Sequence, residues 1–146
     1  MKNLFLLRHA KSSWDNAALA DFDRPLSKRG ISNAILLSEY IQKHNITFDL
    51  VLSSPSERTQ STLDLVLSSL DHFPTTTLKE SIYHASPFSL TQLIKEQDDA
   101  INDLLIIGHN PGLHILTEQL TNQSIVKFPT CAFAKITNFN HWKDID

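Results

Sequence analysis

The clearest pattern in the chain is a set of short apolar runs bounded by polar residues. The three strongest lie at residues 4–7, within 49–53, and at 104–107. Such runs predict strands that are buried on both faces, as in a parallel sheet covered by helices. Two weaker stretches, at residues 75–78 and 131–136, predict further strands, the second of them at the sheet edge.

Between these runs, apolar residues recur with helical spacing and are preceded by capping residues. Four helices are predicted. The first runs from after Ser27 to near His44, and the second runs from around Pro55 and Ser56 to Leu70. The third runs from after Ser86 to near Gln97, and the fourth begins with Asn110 as the cap and Pro111 in the first turn. This alternation predicts a single α/β domain over residues 1–146, with a mostly parallel central sheet and helices on both faces.

Composition and charge exclude several classes of function. A chain of 146 residues, 41% of them hydrophobic, can bury roughly 70% of its unfolded surface as one domain. The net charge of −3 leaves no basic surface for a nucleic acid. Cys131 is the only cysteine, which excludes an internal disulfide and fits a reducing compartment. The apolar run that ends at Leu7 is too short for a signal segment or a membrane span, so we expect a cytoplasmic protein without a membrane partner.

Cationic and hydrogen-bonding residues follow the three strongest strands. Arg8 and His9 follow the first strand, Arg58 lies in the helix turn after the second, and His109 follows the third. Because parallel strands end at the same sheet edge, these side chains should converge. The guanidinium fork matches phosphoryl oxygens, and a helix start adds free backbone N–H groups. The pattern therefore predicts a phosphoryl-binding site.

The candidate nucleophile of that site is an imidazole. The sequence has no phosphate-binding Gly-x-x-x-x-Gly-Lys loop and no carboxylate cluster of the two-metal type. The Asp-x-Asp at residues 21–23 lacks a preceding apolar strand, and Thr137 stands where a cysteine phosphatase built on Cys131 would need arginine. A neutral imidazole can attack phosphorus, and nearby arginines disfavour its protonation. His9, next to Arg8, is the best placed.

Four segments resemble the motifs of the histidine phosphatase superfamily and occur in the family's order. They are Leu-Arg-His-Ala-Lys-Ser-Ser-Trp at 7–14, Asp-Arg-Pro-Leu-Ser-Lys-Arg-Gly at 23–30, Ser-Ser-Pro-Ser-Glu-Arg-Thr at 53–59 and Gly-His-Asn-Pro-Gly at 108–112. The short chain and the Arg-His-Ala-Lys-Ser form are similar to the SixA-like phosphohistidine phosphatases. Ala10 stands where the superfamily commonly has glycine.

The resemblance implies a phosphoglycerate mutase-like fold and a set of residue roles. His9 would be the nucleophile that becomes phosphohistidine, Arg8, Arg58 and His109 would bind the phosphoryl oxygens, and Ser12 would lie near the phosphate. It also implies that the site holds no metal and no cofactor.

Glu80 has two interpretations. The Glu-x-x-Tyr spacing of Glu80 and Tyr83 is similar to the segment that carries the general acid in mutase-like relatives. A carboxylic acid helps a poor leaving group such as an alkoxide by roughly 10²- to 10⁴-fold. If Glu80 points into the pocket, phosphate esters remain possible substrates. If it is a solvent-exposed carboxylate, phosphohistidine is favoured.

The sequence thus predicts a phosphatase that acts through a covalent phosphohistidine on His9, with a phosphohistidine-bearing signalling protein as substrate. The alternatives are a phosphomonoesterase acting on a small phosphorylated substrate, and a catalytically inert module that binds a phosphorylated ligand. Trp14 and Tyr83 are expected at the rim or in packing. His84, which lacks a strand-end position, is expected to be an ordinary surface or hydrogen-bonded histidine.

Overall fold

The computed structural model describes residues 1–146 and contains one five-stranded sheet. Its strands are β1 Asn3–Arg8, β2 Leu50–Ser53, β3 Thr75–Leu78, β4 Asp103–Gly108 and β5 Phe133–Ile136. They lie in the order β3-β2-β4-β1-β5, with β1 to β4 parallel and β5 antiparallel to β1 at the edge. The predicted mostly parallel sheet, with the last strand at its edge, is confirmed.

Four helices cover the two faces of the sheet. They are α1 Lys28–Lys43, α2 Glu57–Leu67, α3 Pro87–Lys95 and α4 Gly112–Thr121. Successive residues of a strand point to opposite faces, so Leu4 and Leu6 pack with α3 and α4, whereas Phe5 and Leu7 pack with α1 and α2. Both faces are therefore buried, which explains why the strands consist of uninterrupted apolar residues.

The predicted starts of α1, α2 and α3 are confirmed, and that of α4 is wrong. The Ser27 hydroxyl accepts a hydrogen bond from the Gly30 amide at 3.0 Å, and Ser86 caps α3 in the same way through Ser89. In α4 the cap position is held by Pro111 instead of Asn110, with no side-chain cap. The Asn110 amide donates to the Phe128 carbonyl at 2.7 Å, so a tertiary hydrogen bond directs its side chain away from the helix.

The loop after β1 is held against the start of α1 by a backbone contact. The Ser27 amide donates to the Lys11 carbonyl at 2.9 Å, and the Ser27 hydroxyl donates to the same oxygen at 3.0 Å. A Cβ atom on Gly30 would overlap that carbonyl, so only glycine permits the approach. This contact fixes the backbone that carries the segment after His9.

No helix of the chain has the length and apolar character needed to cross a membrane.

Candidate active site

A cavity of about 280 Å³ lies at the carboxyl edge of the parallel strands. Its walls include three arginines, Lys11 and three histidines, and none of the lining residues is Asp or Glu. Arg8 and His9 reach it from the end of β1, Arg58 from the first turn of α2, and His109 from the end of β4. The cavity is thus strongly cationic in a chain whose net charge is −3, which favours an anionic ligand.

His9 is a buried imidazole with one nitrogen occupied. His9 is only 7% exposed, and its Nδ1 donates to the Ala10 carbonyl at 2.7 Å. Because a carbonyl oxygen can only accept, the proton sits on Nδ1 and Nε2 keeps its lone pair. Burial, together with the charges of Arg58, Arg8 and Arg24, lowers the pKa of His9 to about 4. Burial is the largest of these causes, whereas the sequence had pointed to the arginines alone.

Arg58 is held rigidly inside the cavity wall. It is 4% exposed, and its Nη1 donates to the Asp21 carbonyl at 2.7 Å. Nη2 donates to the Asp21 carboxylate at 3.0 Å and lies 3.4 Å from Nδ1 of His109. Arg8 is half-buried, and its Nη1 donates to the Phe128 carbonyl at 3.2 Å. Two guanidinium groups are therefore fixed in place before any ligand enters.

His109 completes the predicted group. Its ring lies 5.2 Å from that of His9, centroid to centroid, and its Nε2 donates to the Ser54 hydroxyl at 2.8 Å. Nδ1 faces Arg58, and since a guanidinium only donates, this nitrogen is unprotonated. Burial first, and then the neighbouring His9 and Arg58, lower the pKa of His109 to about 3. Both strand-end histidines are thus neutral imidazoles at neutral pH.

Arg24 is a cavity residue that the sequence reasoning did not assign. It is 6% exposed, and its Nη2 donates to the Ser12 hydroxyl at 2.5 Å. The guanidinium carbon lies 3.1 Å from the centre of the Trp14 ring, a cation–π contact. Ser12 lines the cavity where the resemblance had placed it near a phosphate. The Arg-Pro pair within the segment at 23–30 was the available signal for Arg24.

Asp21 connects several of these groups from just outside the cavity wall. Its carboxylate accepts hydrogen bonds from the Tyr83 hydroxyl at 2.6 Å, from Arg58 at 3.0 Å and from Arg24 at 3.3 Å. The Tyr83 hydrogen bond and the two arginines hold the pKa of Asp21 well below its usual range. The carboxylate is therefore ionised, and it orients two arginines.

Glu80 does not join the residues that the structure brings together. Arg8, His9, Ser12, Arg58 and His109 all line the cavity. Glu80 lies in a short 3-10 turn, Glu80–Ile82, is exposed to solvent and is absent from the cavity wall. Ile82 of the same turn is buried in the core, which turns Glu80 outward. Instead, His84, four residues later, lines the cavity.

No group of three or more His, Cys, Asp or Glu side chains is placed to hold a metal ion. Cys131 lies near the site, but burial raises the pKa of its thiol to about 11, so the group is a protonated thiol at neutral pH.

Comparisons with known proteins identify the family of the chain. The model of the histidine phosphatase superfamily (branch 1) matches residues 4–83. An uncharacterized protein of Mycobacterium tuberculosis is 31% identical over 150 residues, which cover 96% of this chain and 92% of that protein.

Two solved structures share the fold over nearly the whole chain. One is from Agrobacterium tumefaciens and is described as a SixA phosphohistidine phosphatase. It is 25% identical to this chain with a TM-score of 0.86, and the match covers 92% of this chain and 90% of that protein's chain. The protein histidine phosphatase SixA complexed with tungstate is 22% identical with a TM-score of 0.83, over 94% of this chain and 89% of its own. The family match, the shared fold and the motifs at three strand ends show that the chain belongs to the histidine phosphatase superfamily and resembles its SixA-like members.

Proposed function

We propose that this phosphatase transfers a phosphoryl group from a phosphohistidine-bearing protein to Nε2 of His9 and then hydrolyses it. The observation that carries the proposal is the state of His9: a neutral imidazole whose Nδ1 is tied to the Ala10 carbonyl and whose Nε2 is left free in a cavity with three arginines. A neutral ring nitrogen is a nucleophile, and fixed cations stabilise the charge that spreads over the transferring group.

In the first step, Nε2 forms a bond to phosphorus while the bond to the substrate's leaving group breaks. Arg8, Arg24 and Arg58 neutralise the phosphoryl oxygens, and Ser12 can donate its hydroxyl to one of them. A phosphoryl oxygen that enters between Arg58 and His109 replaces their 3.4 Å contact. Neutral His109 can then donate its Nδ1–H to that oxygen, with the Ser54 hydroxyl donating to Nε2 instead. No metal ion is needed to balance the charge.

In the second step, water attacks phosphorus and the bond to Nε2 breaks. Because the Ala10 carbonyl keeps the proton on Nδ1, the ring of phosphorylated His9 is positively charged. A positively charged ring departs as neutral imidazole, which is a good leaving group. The hydrogen bond from Nδ1 thus prepares His9 for both formation and breakdown of the intermediate.

The substrate class is inferred from the lack of a carboxylic acid in the cavity wall. Glu80 faces solvent, and Asp21 is ionised and occupied by arginines and Tyr83, so neither offers a carboxylic acid to a departing alkoxide. A phosphohistidine ring can leave already protonated on its other nitrogen. Trp14 is 73% exposed beside the cavity and Phe22 is 39% exposed, and exposed aromatic side chains are typical of protein-binding surfaces.

The test is phosphate release from three substrates in the presence of a chelator. They are a phosphohistidine-bearing protein, an alkyl phosphate and p-nitrophenyl phosphate, each with wild type and His9→Asn, which retains a donor for the Ala10 carbonyl. We expect kcat/KM to be highest for the phosphohistidine protein and to vanish in the variant. A higher kcat/KM for the alkyl phosphate would indicate a phosphomonoesterase. Phosphate binding without any turnover would indicate the inert module.

A further inference from the structure

His84 is a third histidine of the cavity that the steps above do not use. Its side chain is 60% exposed and lines the cavity, and its ring lies 5.5 Å from the His109 ring. Its ring lies 4.0 Å from the Tyr83 ring, centroid to centroid, at an interplanar angle of 37°, and its Nε2 lies 3.5 Å from the Asp21 carboxylate. The imidazole is thus held between an aromatic ring and an ionised carboxylate, at the side of the cavity open to solvent.

The backbone at His84 has an unusual conformation that aims the ring. Its φ of 55° lies in the left-handed region, which residues other than glycine rarely adopt. Such a conformation persists only where its surroundings impose it, and it is concentrated at functional sites.

Hydrolysis of a phosphate monoester needs a group that exchanges protons, and the other candidates in and around the cavity are unsuitable. Burial keeps His9 and His109 neutral, with pKa values of about 4 and 3. Glu80 faces solvent and Asp21 is fully ionised. An imidazole that is paired with a carboxylate and open to water can both give and accept a proton.

We propose that His84, oriented by Asp21, is the proton-transfer residue of this site and extends its activity to phosphate monoesters. The inference rests on the phosphoryl transfer to His9 proposed above. In the first step, His84 as imidazolium gives its proton to the departing oxygen as the phosphorus–oxygen bond breaks. In the second step, neutral His84 takes a proton from the attacking water as the bond to His9 breaks. One ester and one water yield one alcohol and one hydrogen phosphate, and both histidines regain their starting states.

The experiment measures how kcat/KM depends on the leaving group. Wild type and His84→Asn are compared on p-nitrophenyl phosphate, phenyl phosphate and the phosphohistidine-bearing protein. Asparagine tolerates the left-handed backbone but exchanges no proton. The matched control is His141→Asn, because His141 also pairs with a carboxylate, that of Asp99 at 2.9 Å, but does not line the cavity.

We expect His84→Asn to lower kcat/KM for phenyl phosphate by roughly 10²-fold or more. The loss should be much smaller for p-nitrophenyl phosphate, whose phenol is more acidic, and for phosphohistidine, whose ring can leave protonated. His141→Asn should match wild type on all three substrates. His84→Gln, made in parallel, removes the same proton exchange with a longer side chain and should reproduce the selective loss.

Two outcomes would overturn the inference alone. Equal losses on all three substrates in both variants, with wild-type unfolding midpoints, would mean that His84 only shapes the cavity. An unchanged kcat/KM for phenyl phosphate would mean that no proton passes through His84. If wild type instead released no phosphate from any substrate, the proposed function itself would fail, and the inference would fall with it.

Discussion

Lowering the pH should destabilise the folded protein through His9 and His109. Both imidazoles are nearly buried, at 7% and 5% exposed, and burial is the first cause that lowers their pKa values to about 4 and about 3. In the unfolded chain each should return to the ordinary value of 6.5. As the pH falls below 6.5, the unfolded chain therefore takes up two protons that the folded protein refuses.

The sign and the window of the effect follow from these values. The folded protein keeps its full free energy of unfolding above the pKa that the two histidines have in the unfolded chain. This free energy decreases as the pH falls toward the pKa values that they have in the folded protein. Between about pH 7 and about pH 5, each histidine should lower the free energy of unfolding by about 2 kcal/mol, or about 4 kcal/mol for the pair. Asp21, whose pKa is depressed from an ordinary 3.8, changes the free energy of unfolding only at lower pH and does not affect it between about pH 7 and about pH 5.

The assay is urea unfolding at a series of pH values across this window, for wild type and three variants. His9→Asn and His109→Gln should each lose about half of the pH dependence, because each removes one buried titrating group. His141→Asn, which replaces an exposed histidine, should keep the wild-type dependence. Stability that stays constant from about pH 7 to about pH 5, or variants that all retain the wild-type slope, would refute the burial of two neutral imidazoles at this site.

Three further predictions address the loop, the rim and the metal. Gly30→Ala should lower the free energy of unfolding, measured by thermal or urea unfolding, by about 1–3 kcal/mol, because the added Cβ meets the Lys11 carbonyl. Ser32→Ala, at an exposed position of the same helix, should change the free energy of unfolding little. Equal stability of both variants would contradict the close approach of Gly30 and Lys11. Trp14→Ala should raise KM for a phosphohistidine-bearing protein more than KM for p-nitrophenyl phosphate. Trp14 is 73% exposed and can contact a protein substrate outside the cavity, whereas loss of its contact with Arg24 should affect both substrates alike. Equal changes for both substrates would place Trp14 in phosphate binding only. Dialysis against a chelator should leave kcat unchanged, because three arginines line the cavity and can neutralise the phosphoryl group. A loss of activity that added metal restores would disprove this.

The fold could be predicted because its strongest signals are local. The strands of a sheet that is covered on both faces must be continuously apolar, and the runs at residues 4–7 and 104–107 have that character. The convergence of Arg8, His9, Arg58 and His109 followed from one topological rule, namely that parallel strands end at the same edge. Neither result required knowledge of side-chain conformations.

The features that could not be predicted from the sequence depend on tertiary contacts. Asn110 has the composition of a helix cap, but its amide binds the Phe128 carbonyl. The sequence around Asp21 shows only an Asp-x-Asp pattern without a preceding strand. The role of Asp21 as a partner of Arg58 depends on a short turn, Asp21–Asp23, that no periodicity reveals. Trp142 is fully buried through contacts with the core and the Ile101 carbonyl, although the tail around it is short and polar.

His84 and Glu80 illustrate the same limit within the site. They lie four residues apart in a segment where sequence spacing favoured Glu80. The burial of Ile82 and the left-handed backbone at His84 decide which of the two side chains reaches the cavity. Such a choice depends on how a single turn packs, so the sequence left two interpretations open for Glu80 and predicted only an ordinary surface or hydrogen-bonded histidine at position 84.

The most direct test of the central claim is to identify the phosphorylated atom. The protein is incubated with a phosphohistidine-bearing substrate, quenched at alkaline pH, which preserves phosphorus–nitrogen bonds, and analysed by peptide mass spectrometry and phosphorus NMR. We predict one phosphoryl group on Nε2 of His9, absent from His9→Asn and present in His141→Asn. Phosphorylation of another residue, or of Nδ1, or turnover that persists in His9→Asn would contradict the account.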